Sequence, residues 1–246
     1  MAFCANNVDV NVCSAVSAGA AVAGAASSGA VFVYTRSGTN WSQQAYIKAS
    51  NAEANDAFGN AVALSGDTLV THALNEDSNQ TTITNGTSTS SNNDKAASGA
   101  VYVYTRSGTS WSQQAYIKPS NAISNMGFGN RVFLKGDLLL VGASAEDSNA
   151  TTNSYGSTAS SDTSLSASGA VYVFERSGTS WSQKAYIKAV NSRDDIYFGN
   201  QIDMDNTTIV AGSLWEKSNQ QGITNGTSAS TDSSQFMNGA AWVYRF

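Results

Sequence analysis

The side chains best suited to chemistry form a carboxylate pair that recurs. Glu76-Asp77 and Glu146-Asp147 stand 70 residues apart, each followed by Ser-Asn, and a third copy reads Glu216-Lys217-Ser218-Asn219. Carboxylates grouped this way, with asparagine and backbone carbonyls nearby, can hold a hard cation, which makes Glu76, Asp77, Glu146 and Asp147 candidate ligands for calcium. The same groups can hydrogen-bond sugar hydroxyls, or serve as the two acids of a glycoside hydrolase. They can equally cap local backbone N–H groups and keep a polar loop soluble. Because the pair repeats with the chain's architecture, structural use is favoured over a single tuned catalytic centre, and no catalytic residue is assigned.

Other chemistries find little support. His72 is the only histidine, so neither a histidine-based metal site nor a Ser-His pair with a supporting second histidine can be assembled. No serine sits in a G-x-S-x-G turn. Cys4 and Cys13 are the only cysteines, compatible with one disulfide outside the cell or with two thiols. Only 13% of residues are charged, with a formal net charge of −5. A surface without a basic field does not collect phosphates, which argues against a nucleic-acid partner. No apolar run reaches the roughly 20 residues of a membrane span. The Ala- and Gly-rich stretch 15–26 has the look of a signal-peptide core but is preceded by no Lys or Arg, and it fits the repeat described next.

The elements that position these residues follow from internal repetition. Phe58-Gly59-Asn60, Phe128-Gly129-Asn130 and Phe198-Gly199-Asn200 recur at a spacing of 70. Trp41, Trp111 and Trp181 each open a Trp-Ser-Gln run that closes on Ala-Tyr-Ile-Lys. A Gly-Ala-Val-Tyr-Val-Tyr type of segment occurs four times, at Gly29, Gly99, Gly169 and Gly239. Alternating apolar residues and short Gly turns predict four strands per unit, joined as antiparallel hairpins. Links of over 20 residues, 74–98, 144–168 and 214–238, join second to third strands and carry the acidic pairs. Loops of that length are usually functional or disordered.

One sheet cannot bury both of its faces alone, so neighbouring copies must cover them. The expectation is an all-β single domain, a β-propeller of four-stranded antiparallel blades, about four in number with the last lacking its outer strand. The units run about 10–48, 58–118, 128–188 and 198–244. The first is a worn copy in which Val10-Asn11-Val12 aligns with Phe-Gly-Asn and Val22-Ala23-Gly24-Ala25 forms the second strand. The phenylalanines are expected to pack between blades, and the tryptophans to cover blade edges rather than stack on sugars.

Phe-Gly at the start, Val-Gly-Ala-Ser at 141–144 and the following Gly-Ala-Val-Tyr-Val-Phe segment resemble the FG-GAP repeat of integrin alpha-chain propellers and their bacterial relatives. The resemblance covers about residues 10–244. It implies a secreted or cell-surface, non-catalytic module for adhesion, binding or surface structure. Many members carry calcium between the first and second strands, but the turns here, Ser65-Gly66-Asp67 and Lys135-Gly136-Asp137, hold one carboxylate each, too few for six to eight oxygen ligands. Any calcium is therefore expected in the long links. A third strand left at the edge of the last blade predicts self-association or another extracellular protein as partner. A lectin-like use of the long links is the alternative, and a carboxylate-based glycoside hydrolase a minor one.

Overall fold

The computed structural model describes residues 2–6, 10–15, 25–205 and 207–245. Its regular structure is β throughout, in four antiparallel sheets that follow one another along the chain. The first sheet holds β1 (Ala2–Asn6), β2 (Val10–Ala15), β3 (Ala30–Ser37) and β4 (Asn40–Ile47), in that spatial order. The second holds β5 (Phe58–Ser65), β6 (Thr68–Ala73), β7 (Thr84–Asn85), β8 (Ala100–Ser107) and β9 (Ser110–Ile117). The third repeats it with β10 (Phe128–Lys135), β11 (Leu138–Ala143), β12 (Ser154–Tyr155), β13 (Ala170–Ser177) and β14 (Ser180–Ile187). The fourth has three strands, β15 (Gln201–Met204), β16 (Thr208–Ser213) and β17 (Ala240–Arg245). This is the propeller-like stack of blades that the repeats imply.

The expected register of the first unit is corrected. β2 pairs with β3 through Val10↔Thr35 and Ala15↔Ala30, as β6 pairs with β8 through Thr68↔Thr105 and Ala73↔Ala100. Val10–Ala15 is thus the second strand of its blade, and β1 supplies the first. Alternating Val10 and Val12 fit either place, so short-range pattern alone misassigned them; pairing with β3 decides. The β1–β2 register sets Cys4 opposite Cys13. Of the segment expected as second strand, residues 22–24 lie outside the described residues.

The apolar cores lie between sheets. One cluster joins Val70, Val101, Val103 and Ile117 of the second blade to Phe128, Leu139, Tyr172 and Phe174 of the third. Two more join the first blade to the second and the third to the fourth. Each phenylalanine of the Phe-Gly pairs is fully buried and meets its own third strand edge-on, Phe128 against Tyr172 at 5.4 Å and Phe198 against Trp242 at 5.2 Å. Its backbone meets the previous blade. Gly29 bridges Phe58, and Gly169 bridges Phe198, in parallel. Gly99 takes φ +80°, and a methyl there would overlap the carbonyl oxygen of Phe128.

That close approach predicts a graded response to added methyl groups. Gly99→Ala combines left-handed strain with overlap and is expected to cost about 3 kcal/mol or more. Gly108→Ala, at φ +62° in a hairpin with nothing within 4 Å, carries only the strain, about 1 kcal/mol. Denaturant unfolding of both variants checks this; equal losses would mean that the blade contact is not tight.

Candidate functional site

The long links do not stand out into solvent. Those of the second and third blades fold back along the outer edge of their own blade, so that β7 pairs with β9 through Thr84↔Tyr116 and β12 pairs with β14 through Ser154↔Tyr186. The fourth strand is thereby held on both edges, by the third strand and by the link. Gly86 and Gly156 complete the clamp, donating their N–H groups to the carbonyls of Gln114 and Lys184 at 2.6 and 2.7 Å.

Folding back carries the first acid of each pair inside. Glu76 Oε2 accepts from Lys118 Nζ at 2.8 Å, and its Oε1 accepts from the Tyr116 hydroxyl at 2.6 Å. Asn51 Nδ2 and the Ser78 N–H complete its shell. The ammonium of Lys118 also reaches Ser98 Oγ and the carbonyl of Gly99. Glu146 repeats the arrangement with Lys188 at 2.7 Å, Tyr186 at 2.8 Å and Asn121 at 3.2 Å. Both ion pairs are almost wholly removed from water. Burial pulls the Lys118 and Lys188 ammonium groups below the usual lysine range, while Glu76 and Glu146 pull the other way.

The second acids do different work. Asp77 Oδ1 accepts the Ala97 N–H and Asp147 Oδ1 accepts the Ala167 N–H, at 2.7 and 2.9 Å. Those alanines sit at φ +48° and +46°, so each aspartate fastens a strained turn just before the blade-contact glycine. The four candidate metal ligands are therefore brought to the same places in two blades, each acid engaged with protein donors. Among the described residues no group of three or more His, Cys, Asp and Glu is placed to hold a metal ion. Sequence reasoning singled out the acids but missed their partners, Lys118, Tyr116 and Asn51. The signal was there, since Ala-Tyr-Ile-Lys and Glu-Asp-Ser-Asn recur with the same offset in both units.

Two groups stand apart from the repeat. Asp56 fills the slot that Met126 and Ile196 occupy in later blades; burial pushes its carboxyl up to about 6, against the opposing Glu53 N–H bond. His72 lies buried against Gly129 with neither ring nitrogen hydrogen-bonded, and burial, helped by Arg131, holds it down to about 3.

A family model of the FG-GAP repeat matches residues 41–104 and 111–174, together just over half of the chain. The chain belongs to the FG-GAP repeat family. No curated protein matches it. FG-GAP repeats are typical of extracellular adhesion and binding modules. Each matched FG-GAP span opens on a fourth-strand tryptophan and closes on the third strand of the next blade, so it contains a whole blade-to-blade joint.

The tryptophans of the FG-GAP units serve that joint. Trp111 Nε1 donates to Gln44 and Trp181 Nε1 donates to Gln114 of the preceding fourth strand, both at 2.9 Å. Arg106 and Arg176 lie over the same two rings while pairing with Asp67 and Asp137. The blade-two link reaches across as well, Asn85 Oδ1 accepting the Trp181 N–H at 2.8 Å.

Two measurements probe these groups. Lys118→Met strands a buried carboxylate and is expected to cost about 3–5 kcal/mol, whereas adding Glu76→Gln should restore a large part of the loss; an uncoupled pair in the double-mutant cycle would contradict the cage. His72, with its folded value depressed, contributes stability that is present above pH 6.5 and is lost as pH falls toward about 3. Below pH 6 the wild type should therefore lose about 1.4 kcal/mol per pH unit more than His72→Ala. Parallel stability–pH curves would clear His72 of that role.

Proposed function

We propose that this FG-GAP chain is a non-catalytic, extracellular adhesion and binding module that assembles with further copies of itself, head to tail. One observation carries this reading: the joint used between its blades is left half-made on both end blades. Trp41 is 48% exposed, whereas Trp181, seated on the preceding blade, is 2% exposed. At the other end Val243 of β17 is 67% exposed, while its counterparts Val103 and Val173, covered by the next blade, are 0% and 1% exposed. Phe236, Met237 and Leu214 of the same blade are exposed as well. A single copy thus presents unlike faces at its two end blades, and an interface between unlike patches builds rings or filaments according to whether the rotation closes.

The receiving turn is in place on the last blade. Phe58 and Phe198 donate their N–H groups to the carbonyls of Ser28 and Ser168, and Asn125 donates to Ala96. Phe236, Met237 and Asn238 occupy the matching turn of the last blade, with Met237 at φ +60°, and their carbonyls meet no donor among the described residues. Against the lectin alternative, Glu76 and Glu146 lie inside the blades, where sugar hydroxyls do not reach.

Light scattering over a range of concentrations tests the assembly. The expected mass rises above the 25.6 kDa of one chain, and Val243→Glu lowers it again by setting a charge in the joint. A mass of one chain at every concentration would sink the proposal.

A further inference from the structure

The second and third blades each set a buried amine and a carboxamide on one buried carboxylate. Lys118 Nζ donates to Glu76 Oε2 at 2.8 Å, and Asn51 Nδ2 donates to the other oxygen of that carboxylate at 3.3 Å. The third blade repeats the triad, with Lys188 on Glu146 at 2.7 Å and Asn121 on Glu146 at 3.2 Å. Both lysines are 1% exposed. Each asparagine is oriented by two further bonds. Asn51 Nδ2 also donates to the Ser90 carbonyl at 2.7 Å, and its Oδ1 accepts the Tyr102 hydroxyl at 2.8 Å. Asn121 makes the same bonds to Ser160 and Tyr172, both at 2.6 Å. An ion pair by itself requires neither the carboxamide nor a donor aimed at its carbonyl.

These four groups are the parts of an acyl transfer. A lysine amine is a nucleophile once it has lost its proton, and desolvation makes that loss easier. Burial pulls the Lys118 and Lys188 ammonium groups in that direction, against the pull of the glutamates. A carboxylate touching both nitrogens can take a proton from one and deliver it to the other. A hydroxyl on the carboxamide oxygen stabilises the charge that develops there. Burial raises Tyr102 and Tyr172 well above the ordinary phenol range, so both remain donors. Holding the reactants on one carboxylate removes the entropy loss of bringing them together.

We propose that Lys118 is joined to Asn51, and Lys188 to Asn121, by amide bonds formed within the folded chain. Glu76 takes a proton from the Lys118 ammonium, and the freed lone pair attacks Asn51 Cγ. Negative charge gathers on Oδ1 under the Tyr102 hydroxyl. Glu76 delivers its proton to Nδ2, the Cγ–Nδ2 bond breaks, and ammonia leaves. The extra proton on the new amide nitrogen passes through Glu76 to the ammonia. One alkylammonium and one carboxamide thus give one secondary amide and one ammonium ion, with no oxidation and no co-reactant. Each bond closes a ring around a whole blade, since β5 to β9 lie between Asn51 and Lys118 and β10 to β14 between Asn121 and Lys188. Tension along the chain then passes through the amide and bypasses the hydrogen bonds of the blade. Both bonds lie within single blades and do not depend on the assembly reading.

Mass spectrometry of the purified, reduced whole chain tests this. Each bond removes one ammonia, so the intact mass is expected about 34 Da below that of the sequence. Tryptic digestion should yield residues 49–95, 107–131 and 185–193 joined in one fragment, because residues 107–131 carry both Lys118 and Asn121. Glu76→Gln should restore about 17 Da and free residues 49–95, leaving the other two peptides joined. The joined peptides distinguish the amide from ammonia lost by cyclisation of an asparagine. The wild-type measurement is decisive even if the Glu76 variant folds poorly. A wild-type chain at its full sequence mass, or a lower mass with these peptides all separate, would overturn the proposal.

Discussion

The structure depends on how closely the backbone of one blade can lie on the next. At Gly29, Gly99 and Gly169 the chain leaves its link in the left-handed region and runs directly against the following Phe-Gly, with no room for a side chain between them. Glycine is needed for the conformation and for the space. The contact sets the spacing between sheets, and it places the phenylalanine where it meets its own third strand edge-on. The apolar cores therefore form between sheets rather than within one. β6 is buried along its full length, whereas β17 alternates between half-buried and exposed residues because nothing among the described residues covers its second face.

The buried ion pairs serve the same joint from the outer side. In the second and third blades the long link is tied down shortly before the glycine that makes the contact. Glu76 and Lys118 do this across 42 residues of chain, with Asp77 fastening the turn that precedes Gly99. Replacing a buried pair of charges by well-packed apolar groups is often neutral or stabilising. Both pairs join a link to the fourth strand of its own blade. The blades that hold such a cage are those with a five-stranded sheet. In the first blade, whose link 16–28 contains no acid, Lys48 turns to Ser28 and the Gly29 carbonyl, and burial lowers its affinity for the proton against the pull of Asp56.

The two end blades differ in a consistent sense. The link of the first holds no acid to meet Lys48, and both expose apolar groups whose counterparts are covered inside the stack. In a repeat protein each unit is stabilised by its neighbours, and terminal units with polar outer faces normally end the series.

Fold class, the four main strands of a unit and the 70-residue period were legible in the sequence alone, because Phe-Gly-Asn, Trp-Ser-Gln and Gly-Ala-Val-Tyr are dictated by local geometry repeated several times, whereas the fifth strands β7 and β12, formed by links read as loops, were not. The acidic pairs were legible as special positions, though not as what they are. Their partners lie some 40 residues away, and only folding shows that the link turns back to lay Glu76 on Lys118. Carboxylates in a polar loop look alike whether they face water, a cation or a lysine; the choice is made by burial, which is a property of the packed stack. The first unit shows the same limit. Val10 and Val12 alternate as a first or a second strand would, and the pairing with Thr35 and Val33 settled their place. Short-range pattern determines which segments are strands, and tertiary packing decides which strand meets which and which charges lose their water.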